Sequence, residues 1–244
     1  MKVILLNSGI GRRFGYLTKN NPKCLLKING NETILDYQLK TLINNNLKNI
    51  IITTGPFENK IKKHIKTIYP KLKIQYINNP IYYKTNYIYT IYLIKDFIDD
   101  NVILLHGDLI FSNSLLRDIR NSKEANCVLV NKEITPPEKD FKALIIDEKI
   151  KQIGVNVLGP NTVFLAPLYK LTNRFFKAWL DQIENYVKEN RVDCYAEDAL
   201  NTILDKLILK PFYFNNKICK EVDDFNDLKL VKELLKKNNN IVLN

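Results

Sequence analysis

Hydrophobic positions in this chain follow two patterns, short continuous apolar runs and longer segments with a period near 3.6 residues. The runs are typical of buried strands, and the periodic segments are typical of amphipathic helices. The predicted strands span residues 3–6, 49–53, 73–77, 102–106, 127–130 and 162–166. The predicted helices span residues 33–45, 86–97, 112–120, 168–189, 199–204 and 224–237. This alternation predicts an α/β fold, a three-layer sandwich around a mostly parallel mixed sheet.

The whole chain, residues 1–244, is predicted to form a single domain, because 244 residues with 45% hydrophobic content suffice for one sizeable core. Residues 132–160 carry two shorter apolar runs around a turn signal at Asp147-Glu148. We interpret them as a hairpin elaboration of the same domain. The polar segment 236–244 is predicted to be a loose tail.

The formal net charge of +11 suits a nucleic acid, an acidic membrane surface or a polyphosphate, because each presents a dense negative field. The lysines are dispersed along amphipathic segments, and the sequence has neither an arginine-rich tail nor an RNA-recognition signature. Most of the charge is therefore interpreted as a solvated lysine surface, without a nucleic-acid partner.

Cysteine spacing and hydropathy bear on the cellular compartment. The four cysteines are far apart and include no C-x-x-C pair, which argues against a zinc site or a disulfide framework. No apolar stretch approaches the ~20 residues that span a bilayer. The expectation is a cytoplasmic protein with reduced cysteines and no membrane partner.

The first predicted strand runs into a basic glycine loop, residues 7–15, which reads Asn-Ser-Gly-Ile-Gly-Arg-Arg-Phe-Gly and is followed by Pro22 and Lys23. Glycines let backbone N–H groups approach an anion, while the arginines and the lysine supply neutralising charge. The loop lacks a Walker motif, its third glycine is one place late for a dinucleotide fingerprint, and the second strand ends without a carboxylate. The pattern therefore predicts a long basic loop that can fold over a triphosphate.

Asp108 lies just past the predicted strand 102–106, at the edge where α/β sheets bind ligands. A carboxylate there suits magnesium, which prefers oxygen donors. A cap of the following helix is the structural alternative. The chain has only two histidines, so no Ser-His-Asp set can be assembled, and we assign neither a covalent nucleophile nor a histidine base.

The loop motif resembles the signature of nucleotidyltransferases with a glycosyltransferase-A-like α/β fold, G-x-G-x-R-[FM] followed about ten residues later by P-K. The matching residues are Gly9, Gly11, Arg13, Phe14, Pro22 and Lys23. Asn7 and Ser8 stand where the family usually has two alanines. The resemblance implies nucleotide contacts from Asn7, Ser8, Gly9, Gly11, Arg12, Arg13, Asn86 and Gly107.

The same resemblance implies catalytic residues and a magnesium cofactor. Lys23 is expected at the α phosphate and the acceptor phosphate, and Arg13 at the β and γ phosphates. In the family, an aspartate after the strand that corresponds to residues 102–106 and a second aspartate after a late short strand hold the metal. Asp108 and Asp223 match these positions. An ordinary acidic residue before a helix is the alternative for Asp223.

Two further segments resemble the cytidylyltransferases that activate phosphocholine and aminoethylphosphonate. The run that begins at Asn86 matches N-x-[IY]-[YS]-[ST], which implies that Asn86 lies near the base or ribose, with a helix cap as the alternative. Residues 193–199 resemble a Y-x-[ED]-[DE] segment around the acceptor's ammonium group, so Tyr195 with Glu197 or Asp198 is implied to bind the acceptor. First-turn stabilisation of a helix is the alternative for both acids.

These observations predict a magnesium-dependent cytidylyltransferase. It transfers CMP from CTP to the phosphate or phosphonate of a small acceptor similar to phosphocholine, aminoethylphosphonate or a phospho-amino acid, releases pyrophosphate, and serves surface polysaccharide decoration. The alternatives are a sugar-1-phosphate nucleotidyltransferase using UTP or dTTP, a basic nucleic-acid-binding module, and a nucleotide sensor without turnover. The oligomeric state stays open, with a homodimer as one alternative.

Overall fold

The computed structural model describes the backbone of residues 1–241 and the side chains of residues 1–237. The strands are β1 (Lys2–Asn7), β2 (Lys27–Asn29), β3 (Glu32–Thr33), β4 (Ile50–Thr54), β5 (Ile74–Asn78), β6 (Val102–His106), β7 (Leu109–Phe111), β8 (Cys127–Asn131), β9 (Lys142–Ile146), β10 (Lys149–Gly154), β11 (Thr162–Leu171), β12 (Lys210–Tyr213) and β13 (Cys219–Glu221). The α-helices are α1 (Ile34–Asn44), α2 (Glu58–Ile68), α3 (Tyr87–Tyr92), α4 (Asn113–Asn121), α5 (Asn173–Lys188), α6 (Ala196–Asn201) and α7 (Phe225–Ile241). Short 3₁₀ turns cover Arg12–Leu17, Lys23–Leu25 and Lys95–Phe97.

Nine strands form the central sheet in the order β10-β9-β11-β6-β1-β4-β5, with β8 paired to β11 and β12 paired to β8. The β1–β4, β1–β6 and β4–β5 pairs are parallel, so the carboxyl ends of these four strands lie at one edge. Only β10 and β11 run against the other seven strands of this sheet within the described residues. The predicted mostly parallel mixed sheet is confirmed.

Side chains of β1 show how the sheet separates two helical layers. Val3 and Leu5 pack with helices α1, α2 and α4, whereas Ile4 between them packs with α3, α5 and α6 on the other face. All three side chains are fully buried, and each burial contributes about 1.5–3 kcal/mol relative to exposure. The predicted three-layer sandwich is therefore confirmed.

The helix predicted over residues 168–189 is wrong at its beginning. Residues 168–171 extend β11 and pair with β6, because pairing within the buried sheet outweighs the helical spacing of the same apolar residues. Helix α5 begins only after Thr172, whose hydroxyl accepts a 3.2 Å hydrogen bond from the backbone N of Phe175.

Helix α3 is shorter than the predicted helix 86–97, because it ends at Tyr92 and a separate 3₁₀ turn follows. Ile94 still packs in the core beyond the end of the helix, so the apolar spacing continues although the helix does not. Helix α6 begins and ends three residues earlier than the predicted helix 199–204. Asp198 caps its beginning, because its carboxylate accepts a hydrogen bond from the backbone N of Tyr195.

A separate two-stranded sheet, β7 with β13, fastens the end of the chain to the edge of the main sheet. Leu109 pairs with Glu221, and the carbonyl oxygen of Asp108 accepts a 3.0 Å hydrogen bond from the backbone N of Val222. Helix α7 packs in the same buried cluster as Phe14 of the glycine loop. These contacts bring the last acidic segment of the chain next to the loop.

Only part of the chain end belongs to the described residues. The backbone of the predicted loose tail, 236–244, is helical through Ile241, and residues 242–244 lie outside the described residues. Within the described part of the chain, no helix combines the length and the hydrophobicity that crossing a membrane requires.

The turn between β9 and β10 offers a test of backbone strain. Asp147 and Glu148 have φ angles of 49° and 56°, the left-handed angles of a two-residue hairpin turn. Glu148→Gly should raise the free energy of unfolding by up to about 1 kcal/mol in urea denaturation, because glycine adopts positive φ without a steric cost. Glu124→Gly is the control, since Glu124 is exposed and is not among the residues with positive φ. Equal changes in both variants would contradict the explanation.

Candidate active site

Strand β1 delivers the glycine loop to the carboxyl edge of the sheet. Gly11 has a φ of 67°, and a Cβ atom there would lie 2.9 Å from Cβ of Lys23, so backbone angle and packing both require glycine. Ser8 anchors the loop by donating a 3.1 Å hydrogen bond from its hydroxyl to the hydroxyl oxygen of Thr53 on β4. The loop forms one wall of a cleft of about 630 Å³, a size typical of small-ligand sites.

Lys23 connects the loop region with both candidate metal ligands. Its backbone begins a 3₁₀ turn directly after Pro22, and its Nζ lies 2.6 Å from Oδ2 of Asp108 and 2.9 Å from Oδ1 of Asp223. Nη1 of Arg13 lies 3.0 Å from Oδ2 of Asp223. The structure thus joins four predicted site residues in one ion cluster. Their catalytic and metal-binding roles stay predictions.

Lys23 and Asp108 hold each other ionised. Burial lowers the pKa of Lys23, but the carboxylates of Asp108 and Asp223 outweigh burial and raise this pKa above its ordinary value. Burial likewise raises the pKa of Asp108, but Lys23 and His106 outweigh it, so the pKa of Asp108 lies below its ordinary value. Lys23 and Asp108 are therefore both charged at neutral pH.

The donor set around Asp108 fits a divalent cation. Oδ1 of Asp108 is buried and has no hydrogen-bond partner among the described residues. His106, Asp108 and Glu221 each offer a ligand atom, and these atoms lie within 4.8 Å of one another. Carboxylate oxygens are the donors that magnesium prefers, so Asp108 suits the predicted metal. Asp223 also offers a carboxylate, although it does not belong to this group of three.

His106 and Glu221 are site residues that the sequence analysis does not assign. Nδ1 of His106 lies 3.6 Å from Oε1 of Glu221, and little of either side chain is exposed. Burial raises the pKa of Glu221 to about 7, although His106 opposes the rise. The sequence signal that could have assigned Glu221 to the site is its spacing from Asp223, because residues two apart in an extended segment face the same side.

The remaining predicted nucleotide contacts divide between two cavities. The large cleft is lined by Ser8, Gly9, Gly11, Arg12 and Asn86. An adjoining cavity of about 100 Å³ is lined by Asn7 and Gly107 together with Lys23 and Asp108. A Cβ atom at Gly107 would clash with Oδ1 of Asn7, so only glycine leaves room for that side chain.

Asn86 caps helix α3, which is the structural alternative to a nucleotide contact, and it lies beside the cleft. Its Oδ1 accepts a 2.8 Å hydrogen bond from the backbone N of Tyr87 at the start of α3. Because Asn86 also lines the cleft, the helix cap and a nucleotide contact are compatible.

Aromatic side chains surround the predicted acceptor end of the site. Tyr195 is 39% exposed, and its ring centroid lies 5.0 Å from that of Phe141 and 6.0 Å from that of Tyr87. Asp193 lines the cleft two residues before Tyr195. The sequence analysis assigns neither Phe141 nor Asp193, although Asp193 belongs to the segment that resembles an acceptor site.

The two acids that follow Tyr195 have structural partners. Glu197 is 1% exposed, and its carboxylate accepts hydrogen bonds from the hydroxyls of Tyr87 and Tyr169, the latter at 2.8 Å. Oδ2 of Asp198 accepts a 3.1 Å hydrogen bond from the backbone N of Tyr195. These hydrogen bonds favour the structural alternative for both acids. None of Tyr195, Glu197 and Asp198 lines the cleft, but the exposed ring of Tyr195 packs beside Tyr87, which does line it.

Comparison with known proteins agrees with this geometry. The family model of the nucleotidyl transferases matches residues 2–152. A CTP:phosphoglutamine cytidylyltransferase of Campylobacter jejuni is 24% identical over 247 residues, 91% of this chain and 93% of the relative. A choline-phosphate cytidylyltransferase of Streptococcus pneumoniae is 24% identical over 98% of this chain and 100% of the relative. The solved structure of the Streptococcus pneumoniae CTP:phosphocholine cytidylyltransferase has a TM-score of 0.80 at 20% identity, over 96% of this chain and 98% of that one.

The chain therefore belongs to the nucleotidyl transferase family, and the predicted resemblance and enzyme class are confirmed. Members of this family generally use a divalent metal, in agreement with the carboxylate donors at the strand edge. Membership in an enzyme family favours catalysis over the nucleic-acid-binding alternative.

Loss of one hydrogen bond to Glu197 should be measurable as lost stability. Tyr169→Phe removes a hydroxyl that donates to this buried carboxylate and should lower the free energy of unfolding by about 1–3 kcal/mol in urea denaturation. Tyr213→Phe is the matched control, because the Tyr213 hydroxyl is buried without a hydrogen-bond partner in the described structure. This control should leave the free energy of unfolding unchanged or raise it. Equal losses in the two variants would contradict the stabilising hydrogen bond from Tyr169 to the Glu197 carboxylate.

Proposed function

We propose that this protein transfers CMP from CTP to the phosphate or phosphonate of a small acceptor that carries an ammonium group, with magnesium as the metal. The observation that carries the proposal is the ion cluster of Lys23, Arg13, Asp108 and Asp223 beside a 630 Å³ cleft. Two cytidylyltransferases that match most of the chain support CTP and a phosphorylated small acceptor. The activated product is proposed to serve surface polysaccharide decoration.

The proposed reaction requires positioning and charge stabilisation. The acceptor oxygen is already an anion at neutral pH, so no general base is needed. It attacks the α phosphorus of CTP in line, a new P–O bond forms, the bond to the bridging oxygen breaks, and pyrophosphate leaves. Lys23 offsets the charge that converges from the α phosphate and the acceptor phosphate, and Arg13 binds the β and γ phosphates.

Backbone groups and carboxylates complete the nucleotide site in this proposal. The N–H groups of Gly9 and Gly11 donate hydrogen bonds to phosphate oxygens. Asp108 and Asp223 would hold the metal, which when bound orients the triphosphate and stabilises charge on the pyrophosphate. Further nucleotide contacts come from Asn7, Ser8, Arg12, Asn86 and Gly107.

The acceptor side of the proposal rests on the exposed ring of Tyr195 and on the carboxylate of Asp193, two residues before it in the chain. A cation is attracted to the face of an aromatic ring and to an adjacent carboxylate. Tyr195 supplies the ring. Asp193 takes the carboxylate role first given to Glu197 or Asp198, because it lines the cleft whereas both of those acids have structural partners.

Pyrophosphate release tests the proposed reaction. The protein is assayed with each nucleoside triphosphate, magnesium, and a panel of phosphomonoesters, phosphonates and sugar phosphates. We expect release with CTP and a small ammonium-bearing acceptor, and Lys23→Ala should lower kcat by about 10²–10³-fold. Lys217→Ala, which removes a surface lysine paired with Asp118, is the control and should leave kcat unchanged. Release confined to UTP or dTTP with a sugar 1-phosphate would contradict the proposal, as would no release with any pair.

The aromatic contact with the acceptor predicts a selective change in KM. Tyr195→Ala should raise KM for the acceptor by about 3- to 30-fold through loss of the cation–π contact, while KM for CTP stays within about twofold. Tyr195→Phe keeps the ring and should retain the KM of the wild type for the acceptor. Steady-state kinetics with each substrate varied separately distinguish these effects. An equal rise of both KM values in Tyr195→Ala would contradict an acceptor-specific role.

A further inference from the structure

The ammonium of Lys23 lies between the two carboxylates that the proposed function assigns to a metal. Its Nζ contacts Oδ2 of Asp108 at 2.6 Å and Oδ1 of Asp223 at 2.9 Å. The three side chains are only 16–20% exposed, so little water screens their charges. A lysine ammonium is a compact point charge, unlike the planar guanidinium of arginine. One small cation therefore bridges the two carboxylates.

The carboxylates depend on this ammonium for neutralisation. Among the described residues, Lys23 is the only one that forms a salt bridge with Asp108. Asp223 has a second cation in Arg13, but this side chain is more than half exposed and contacts only Oδ2. Without Lys23, two carboxylates would face each other in a site with little solvent, where like charges repel strongly.

We infer that, without nucleotide, Lys23 occupies the place of the metal between Asp108 and Asp223, so that the metal binds tightly only after nucleotide has drawn Lys23 away. This inference rests on the proposed function, which assigns Asp108 and Asp223 to the metal. It adds that the binding of nucleotide and the binding of metal depend on each other. A triphosphate attracts both Lys23 and Arg13. Their movement toward it frees carboxylate oxygens of Asp108 and Asp223 at the same time.

The arrangement has a thermodynamic consequence. Because the coupling between two ligands is reciprocal, CTP should increase the affinity for metal by the same factor by which metal increases the affinity for CTP. Lys23 would thus have two partners in turn, the carboxylates in the free protein and the phosphates in the complex. A neutral side chain at this position should uncouple the two binding events.

Binding of Mn²⁺ to the nucleotide-free protein tests the inference without turnover. The electron paramagnetic resonance signal of free Mn²⁺ gives the dissociation constant, and Mn²⁺ accepts the same oxygen donors as magnesium. Lys23→Met keeps much of the aliphatic stem and should bind Mn²⁺ about 10- to 100-fold more tightly than the wild type, because it removes the competing charge. Adding Asp223→Asn to this variant should abolish the gain. Circular dichroism checks that Lys23→Met folds. If it does not fold, Lys23→Gln, which can donate a neutral hydrogen bond, is the second variant.

Arg13→Met is the matched control, because it removes one positive charge from the same cluster without vacating the position between the carboxylates. We expect its affinity for Mn²⁺ to rise by less than about threefold. Equal gains in the Arg13 and Lys23 variants would overturn the inference in favour of general electrostatics, and so would a folded Lys23 variant without any gain. A gain in Mn²⁺ affinity in the Lys23 variant, together with a wild-type protein that turns over no nucleotide, would support this inference while contradicting the proposed function.

Discussion

The ion pairs of Lys23 with Asp108 and Asp223 join three distant parts of the chain at one edge of the sheet. Lys23 and Asp223 are 200 positions apart in sequence, yet their charged atoms are 2.9 Å apart. Each partner would be costly to bury alone, and removing one partner of a buried pair leaves an uncompensated charge. The cluster therefore constrains where the loop, the strand end and the last helix can lie.

The parallel strands make this convergence possible. Strands β1 and β6 are hydrogen-bonded neighbours, so the glycine loop after one and Asp108 after the other leave the sheet side by side. The short β7–β13 pairing then fixes the segment that ends in Asp223. Phe14 packs in one cluster with α7 and so adds an apolar fastening to the ionic one. The site is held by long-range contacts rather than by any single local motif.

The fold can largely be predicted from the sequence, because alternating patterns specify an α/β sandwich. The glycine loop next to lysine predicts a phosphate site, and that role stays a prediction. The acidic residues show where prediction ends. Glu197 matches an acceptor motif in sequence, but two tyrosine hydroxyls from α3 and β11 occupy its carboxylate. Asp193 lines the cleft and Phe141 packs against the ring of Tyr195, and both lie in loops that carry no periodic signal. Residues 168–171 have helical spacing and nevertheless pair as a strand, because their neighbours in space decide their conformation.

Phosphorus NMR of CTP, magnesium and a small ammonium-bearing phosphomonoester with the purified protein tests transfer of CMP most directly. The account predicts that the α phosphorus of CTP becomes part of a diphosphate diester with the acceptor, while pyrophosphate accumulates in equal amount. A phosphate passed to the acceptor from the γ position of CTP would contradict it, and so would hydrolysis of CTP that leaves the acceptor unchanged.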